Sequence, residues 1–540
     1  MLRDLNPKRT GWVVVVVLTA TLRLSHAAAD GGGIAGVVTD NSGKPAVGAL
    51  VRVKNVERGL AITVVSQEQG RYKTPNLPPG KYTAEGMGGA FQSDSKATME
   101  LDGSRTVTLD LALTTPQDFK KAVTNSQAAE FMPDGEGKTI IMGVCTHCHH
   151  GPNILFARKT REEWTATIEK MRSLSASATM ENLALPGAQY GLVLDYLTKN
   201  FGPDTPPLDT NSKTPATWVK GEAAKSIVYE FDLPRGGATH DVAVDSKGNG
   251  WTLGKGVLGR LDPATFTLTR IPLPDGENGK FRGGIFAVDP QDRVWVGDSN
   301  NCRLLLYDSK TGAFTSYPYP KGPPGESKNV NTIRFHPNGT VWATVITHNL
   351  ILRLDPETKK VTEYPVPAGV LLKTNVNPYG MAIDSKDNFI WFAERHTDKI
   401  GKVNPLNGEI AEMDVPTKYS NLRRMAADAE GNVWAAEYGN VGKLALVDHR
   451  TGKVTNYPTP AKFSGAYSVD VDRTRNLIWV NEFMADKIAR FDPRTRTFVE
   501  YTMPTHYLQT RRIEVDPNRP NRVWFSGTGA DVMGFLEVIE

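Results

Sequence analysis

The chain has 540 residues, 39% of them apolar and 23% charged, which fits several folded domains and excludes a disordered or multi-span membrane protein. Lys plus Arg number 63 and Asp plus Glu 59, so the net charge of +4 gives no argument for nucleic acid or an anionic membrane as the main partner. Three cysteines cannot build a disulfide framework.

The first element in the chain is an address. Arg3, Lys8 and Arg9 precede an apolar stretch, Trp12 to Leu22, and the small residues Ala27, Ala28 and Ala29. This is the order of a secretory signal peptide over 1–29, and its apolar stretch is shorter than the roughly 20 residues a spanning helix needs. The expectation is a periplasmic or secreted protein with no membrane span after cleavage.

Residues 33–113 alternate in seven short runs, at Ile34 to Thr39, Ala49 to Lys54, Ala61 to Ser66, Gly70 to Thr74, Lys81 to Glu85, Ala97 to Leu101 and Thr106 to Leu111. Turn signals such as Asn41-Ser42-Gly43 and Pro78-Pro79-Gly80 separate them, which predicts a seven-stranded β-sandwich. Gly36-Val37-Val38, Gly48-Ala49, Gly70, Tyr72, Leu77-Pro78-Pro79-Gly80 and Tyr82 together resemble the carboxypeptidase regulatory-like domain. That resemblance implies an accessory module with no peptidase site of its own. Residues 114–136 read as a polar linker.

The strongest chemical signal lies in 137–203. Cys145-Thr146-His147-Cys148-His149 is a C-x-x-C-H run, the attachment signature of a c-type haem. Two thiols three positions apart can reach the two vinyl groups of one porphyrin edge, and the next residue, His149, can then supply the proximal nitrogen. A zinc site would want two further ligands, and the only other cysteine, Cys302, is far along the chain. The flanks read as helices. Thr160 and Glu163 form a capping box before Arg161 to Arg172, and Gln189 to Phe201 is amphipathic. The predicted unit is a small all-α domain resembling a class I cytochrome c. Trp164 and Met171 share a helical face, and Met171 or Met180 is the candidate for the sixth ligand. Similarity to the small cytochrome domains of periplasmic dehydrogenases favours Met171. Arg158 is a candidate for a haem propionate.

A second linker, 204–224, leads into a repeat. Trp251, Trp295, Trp342, Trp391, Trp434, Trp479 and Trp524 recur at intervals of 43 to 49 residues. A period near 45 with four short strands per unit predicts a seven-bladed β-propeller over 225–540. An acid stands before each Trp (Asp245, Asp289, Asp384, Asp428, Asp472, Asp516), broken only by His336. The last unit lacks its fourth strand, and Glu230-Phe231-Asp232-Leu233-Pro234 supplies a matching one from the other end. The whole chain is therefore expected to be multidomain and mainly β.

One propeller face collects His240, Arg282, Asp298, Asn331, His348, Tyr379, Glu394, His396, Arg423, Arg424, Glu437, Tyr467, Glu482, His506, Arg511 and Arg512 on its loops. Trp391-Phe392-Ala393-Glu394, Lys399-Ile400-Gly401-Lys402 and Glu363-Tyr364-Pro365-Val366-Pro367 resemble the blades of virginiamycin B lyase, a streptogramin lyase. The resemblance implies elimination from a cyclic depsipeptide with Mg2+ and a histidine base. The pattern is incomplete here: only Thr239-His240-Asp241 carries a histidine before strand one, and Pro378-Tyr379-Gly380 has Tyr in that place.

Three functions follow. One is a haem c electron-transfer protein whose propeller takes a small-molecule substrate or a redox partner, a dehydrogenase or another cytochrome. Another is a lyase with His240 or His396 as base and Glu394 or Glu437 holding Mg2+. The third is a non-catalytic binding scaffold.

Overall fold

A computed structural model describes residues 32–539, apart from 95–96, 148, 177–186, 209–216, 237–239, 276–280, 282, 325 and 440–441. Residues 1–29, read above as a signal peptide, and Cys148, Met180 and Arg282 lie outside the described residues. Among those described, no helix is long and apolar enough to cross a membrane.

Among the described residues the N-terminal sheet domain has nine strands where the sequence predicts seven. The expected strand Thr106 to Leu111 is split into Val107–Thr108 and Leu111–Pro116. The break falls at Leu109-Asp110, where the Asp110 carboxylate accepts the Val37 N–H at 2.8 Å and interrupts the ladder along Ile34–Thr39. The other addition, Phe91–Ser93, pairs with Gly80–Gly88 and Leu111–Pro116.

The helical region is larger than 137–203. Phe119–Ala122 and Asn125–Glu130, inside the segment read as a linker, are short helices. Polar composition hid them, but Phe119, Val123, Ala128, Ala129 and Met132 share one apolar core with Ile141, Trp164, Val193, Leu197 and Phe201. Burying a side chain of that size contributes about 1.5–3 kcal/mol. The other helices are Glu136–Val144, Gly151–Leu155, Arg161–Ala176 and Gly187–Asn200.

Six propeller blades stand as separate four-stranded antiparallel sheets. The three C-terminal strands, Thr510–Val515, Arg522–Gly527 and Val532–Val538, continue instead into Ser226–Asp232 from the N-terminal side of the propeller. Ser226–Asp232 then pairs on its free edge with Leu60–Val65. One sheet thus runs from the propeller into the N-terminal domain. Leu60, Ile62 and Val64 share a core with Tyr229, Phe231, Trp524 and Phe535, and Arg52 meets buried Glu230 at 2.9 Å. A sheet edge that would template unwanted pairing is covered in this way.

The tryptophan ladder has a plain physical cause. In four blades the acid before the Trp accepts both turn N–H groups and the indole N–H. Asp245, for example, takes Lys247 N at 3.0 Å, Asn249 N at 2.9 Å and Trp251 Nε1 at 3.0 Å. Asp289, Asp384 and Asp428 repeat it. Where His336 breaks the series, its Nδ1 accepts the turn N–H of Asn338 and Thr340 Oγ1 accepts the Trp342 indole at 2.9 Å. Asp245→Ala leaves a buried indole donor unsatisfied, at a cost of about 1–3 kcal/mol. Its urea midpoint, followed by tryptophan fluorescence, is expected to fall accordingly.

Candidate functional site

The C-x-x-C-H run sits where Glu136–Val144 tightens into the short 3-10 turn Cys145–His147. Opposite it, Arg161–Ala176 starts at a true capping box. Thr160 N donates to Glu163 Oε2 at 2.8 Å, and Glu163 N donates to Thr160 Oγ1 at 3.3 Å. Trp164, 5% exposed, fixes the rotation of this helix through Nε1, which donates to Phe201 O at 3.3 Å. Two turns on, Met171 Sδ lies 3.3 Å from His149 Nε2. An imidazole and a thioether from different elements therefore face each other beside Cys145. Arg158, the candidate for a haem propionate, stands just ahead of this helix. Its guanidinium donates to the carbonyls of Leu155, Ala157, Thr205 and Pro206 at 2.8–3.1 Å, so it pins the chain turn and its donors are spent on backbone.

The second site is the propeller axis, where the seven innermost strands neighbour one another in a closed ring. Arg424, 1% exposed, reaches across it to two segments. Its Nη1 donates to Asn331 O at 3.1 Å and Thr332 Oγ1 at 2.7 Å, and its Nη2 to Asp241 Oδ1 at 2.5 Å and His240 Nδ1 at 2.8 Å. Tyr379 and Tyr467 hydroxyls lie 3.0 and 3.2 Å from His240 Nε2 and 2.5 Å from each other. Arg423 sits within the rings of Tyr379, Tyr438 and Tyr467 at 4.8–5.1 Å, a cation–π cage. Above His240 opens a cavity of about 340 Å³, also lined by Gly283, Gly284, Ser299, Asn331 and Arg511.

The protonation of His240 follows from its partners. Burial, with Arg424 adding to it against Asp241, pushes the imidazole down to about 4, so it is neutral at pH 7. Nδ1 faces both Arg424 Nη2 at 2.8 Å and Asp241 Oδ1 at 3.2 Å; with the closer arginine as donor, Nδ1 accepts and the proton sits on Nε2, aimed at the tyrosines. The lone pair a general base would use is already engaged by Arg424.

The four lyase candidates do not come together. His396 is on an exposed loop with Nδ1 2.9 Å from Asn375 O. Glu394 lies within its blade, opposite Lys399 in the ladder, and accepts from Thr397 Oγ1 at 2.5 Å. Burial and the Glu412 carboxyl on the outermost strand push Glu394 up to about 8, so it is protonated at neutral pH. Glu482 is raised in the same way by burial and Glu500, and burial raises Glu437 beside Thr417 and Lys443. In these three blades the glutamate three residues after Trp is thus a device inside the blade, facing strand four rather than the axis. Among the described residues no group of three or more His, Cys, Asp or Glu is placed to hold a metal ion.

Because the folded Glu394 binds its proton more tightly than the unfolded chain, its contribution to stability is full below pH 4.5 and is lost as pH rises through about 8. Glu394→Gln is expected to leave the thermal midpoint unchanged near pH 4 and to raise it at pH 9. A melting series across that range checks this.

Sequence reasoning named His240, Tyr379, Tyr467, Arg423 and Arg424 for this face but missed Asp241 and Thr332, which carry no recurring signal. Their only mark is polarity next to an apolar innermost strand.

A closed ring of blades with a cavity at its axis defines a β-propeller. The chain belongs to the virginiamycin B lyase family, whose model matches residues 266–539. The carboxypeptidase regulatory-like domain matches 33–114. Among solved structures, virginiamycin B lyase from Staphylococcus aureus is 21% identical, with a TM-score of 0.51 over 58% of this chain and all of that one. A streptogramin B lyase is 20% identical, with a TM-score of 0.52 over 59% of this chain and all of that one. These likenesses establish the fold. A TonB-dependent transporter, Oar, from Myxococcus xanthus is 27% identical over 302 residues, 52% of this chain. The human NHL repeat-containing protein 3 is 26% identical over 129 residues, 23% of this chain. The chain spans only 27% and 35% of the length of these two curated relatives.

Proposed function

We propose that this is an exported c-type haem protein whose lyase-family propeller, counted as seven blades with Ser226–Asp232 completing the last, binds a small molecule or a redox partner at its axial cavity. The observation that carries this reading is the 3.3 Å approach of His149 Nε2 and Met171 Sδ beside Cys145. The donor set fits haem c: Cys145 and Cys148 for the porphyrin edge, His149 and Met171 for the axial positions. When bound, such a haem supplies one-electron exchange at a potential raised by the thioether. The chain's own contribution is positional. The Thr160–Glu163 box and Trp164 set the helix that presents Met171, and the core around Ile141, Val193 and Leu197 keeps water from one side of the site. Met171→Ala is expected to abolish the thioether-to-iron absorption band of the oxidised protein, while Met180→Ala retains it. The reverse result assigns the ligand to Met180.

A second reading is a C–O lyase acting on a cyclic depsipeptide, with His240 as base. Membership of the lyase family supports it more directly than any comparison supports the haem. Against it stands the engaged lone pair of His240, and burial inside their blades makes Glu394 and Glu437 weaker acids than free carboxyls. Metal-dependent opening of such a depsipeptide by the full chain, lost in His240→Ala, would establish this reading. A binding scaffold remains if neither haem nor turnover is found.

A further inference from the structure

The C-x-x-C-H turn is held from outside its own helices. Asn125, 5% exposed and in the segment that composition marks as a linker, places both ends of its amide on the turn. Its Oδ1 accepts the Gly151 N–H at 2.6 Å. Its Nδ2 donates to Thr146 O at 3.1 Å and to His149 O at 3.4 Å, and it lies 3.4 Å from Met484 Sδ. Met484 belongs to the propeller, on the loop after strand Leu477–Glu482. The same loop anchors the next residue, since Ser126 N donates to Met484 O at 2.8 Å, while the Ser126 hydroxyl donates to Lys462 O. Two nearby contacts complete the seat: His150 meets the Tyr507 ring edge-on at 5.1 Å, and the Lys138 ammonium lies 5.2 Å from the Phe463 ring.

Asn125 therefore does something no capping or core residue in this region does. It fixes three backbone groups of one turn, including the carbonyl of His149, and it is itself fixed by the propeller. Groups that orient a metal ligand without touching the metal alter affinity at the metal by about 10–100-fold when removed.

We infer that Asn125 is the positioning residue for His149, and that the propeller, through Met484, sets Asn125. The inference rests on the haem reading for its consequence but not for its geometry. The helical region is then a part seated on the propeller rather than a tethered domain, and it is the propeller that keeps the imidazole opposite Met171.

The test uses the full chain matured with haem. Exogenous imidazole competes with the Met171 thioether, and its affinity is read from the Soret band. Asn125→Ala is expected to raise imidazole affinity about tenfold or more by loosening the turn. Asn125→Asp keeps the acceptor for Gly151 and loses the donors, so it should fall between Ala and wild type. Met484→Ala, which leaves the helical region's own residues intact, should shift affinity in the same direction. Gln127→Ala is the control: it removes the other half of the Thr124 capping box on the same helix without touching the turn. Amide hydrogen exchange of the peptide spanning 145–152 is measured on the same proteins and needs no haem. It should quicken about tenfold or more in Asn125→Ala and stay unchanged in Gln127→Ala. A wild-type chain without haem would sink the haem reading and leave the exchange result to decide this one. Unchanged exchange in Asn125→Ala, or an equal effect from Gln127→Ala, overturns it.

Discussion

Cys145→Ser together with Cys148→Ser is expected to abolish covalent haem completely and to leave the propeller folded. The loss is total because no other cysteine is near: Cys302 is buried in a propeller blade, in the core around Trp295 and Leu304. The propeller should survive because the core of the helical region is a cluster of its own, joined to the blades mainly at Asn125, Ser126, Lys138 and His150. Seven of the ten tryptophans belong to the propeller repeat and one, Trp164, to the helical core, so tryptophan fluorescence during denaturation is dominated by the propeller and should show its main transition unmoved. The transition of the helices, followed by far-ultraviolet dichroism at low denaturant, should shift down. Retention of a covalent haem by the double variant would mean that attachment does not use this run.

The second large effect lies on the propeller axis. Asp241 and Arg424 are each 1% exposed and 2.5 Å apart, and burial and Arg424 between them leave the Asp241 carboxyl at about 2. Asp241→Ala strands the guanidinium in a dry channel, which costs about 3–5 kcal/mol for a broken buried pair. Arg424→Met is expected to cost a comparable amount, because it also removes the donors to Asn331, Thr332 and His240. The double variant Asp241→Ala, Arg424→Met leaves no uncompensated charge and should recover a large part of the loss. Denaturant midpoints of the three proteins, compared as a cycle, give the coupling. Additive losses would mean that the pair is not coupled as its geometry requires.

Much of this fold is written in local rules. The Trp period near 45, the acid ahead of each Trp and the capping box at Thr160 are each fixed by a turn, a cap or a ladder. Such features depend on neighbours in the chain. What escaped depends on contacts between distant segments. The helices at 119–130 have few apolar residues, and their stability comes from a core built elsewhere. Leu60–Val65 looks like any sandwich strand until its outer edge meets Ser226–Asp232. Glu394 looks like a cleft acid by its position after Trp391, yet Glu412, on a strand whose pattern gives no hint of the pairing, turns it into a protonated partner inside the blade. Asn125 had no signal at all beyond its polarity.

The most direct test of the whole account is the intact mass of the full chain exported to a periplasm with c-haem maturation. The account predicts cleavage near Ala27–Ala29 and a mass greater than the mature polypeptide by one haem, with both thiols of the C-x-x-C-H run consumed. A protein of bare polypeptide mass, with the thiols of Cys145 and Cys148 open to alkylation, would contradict it.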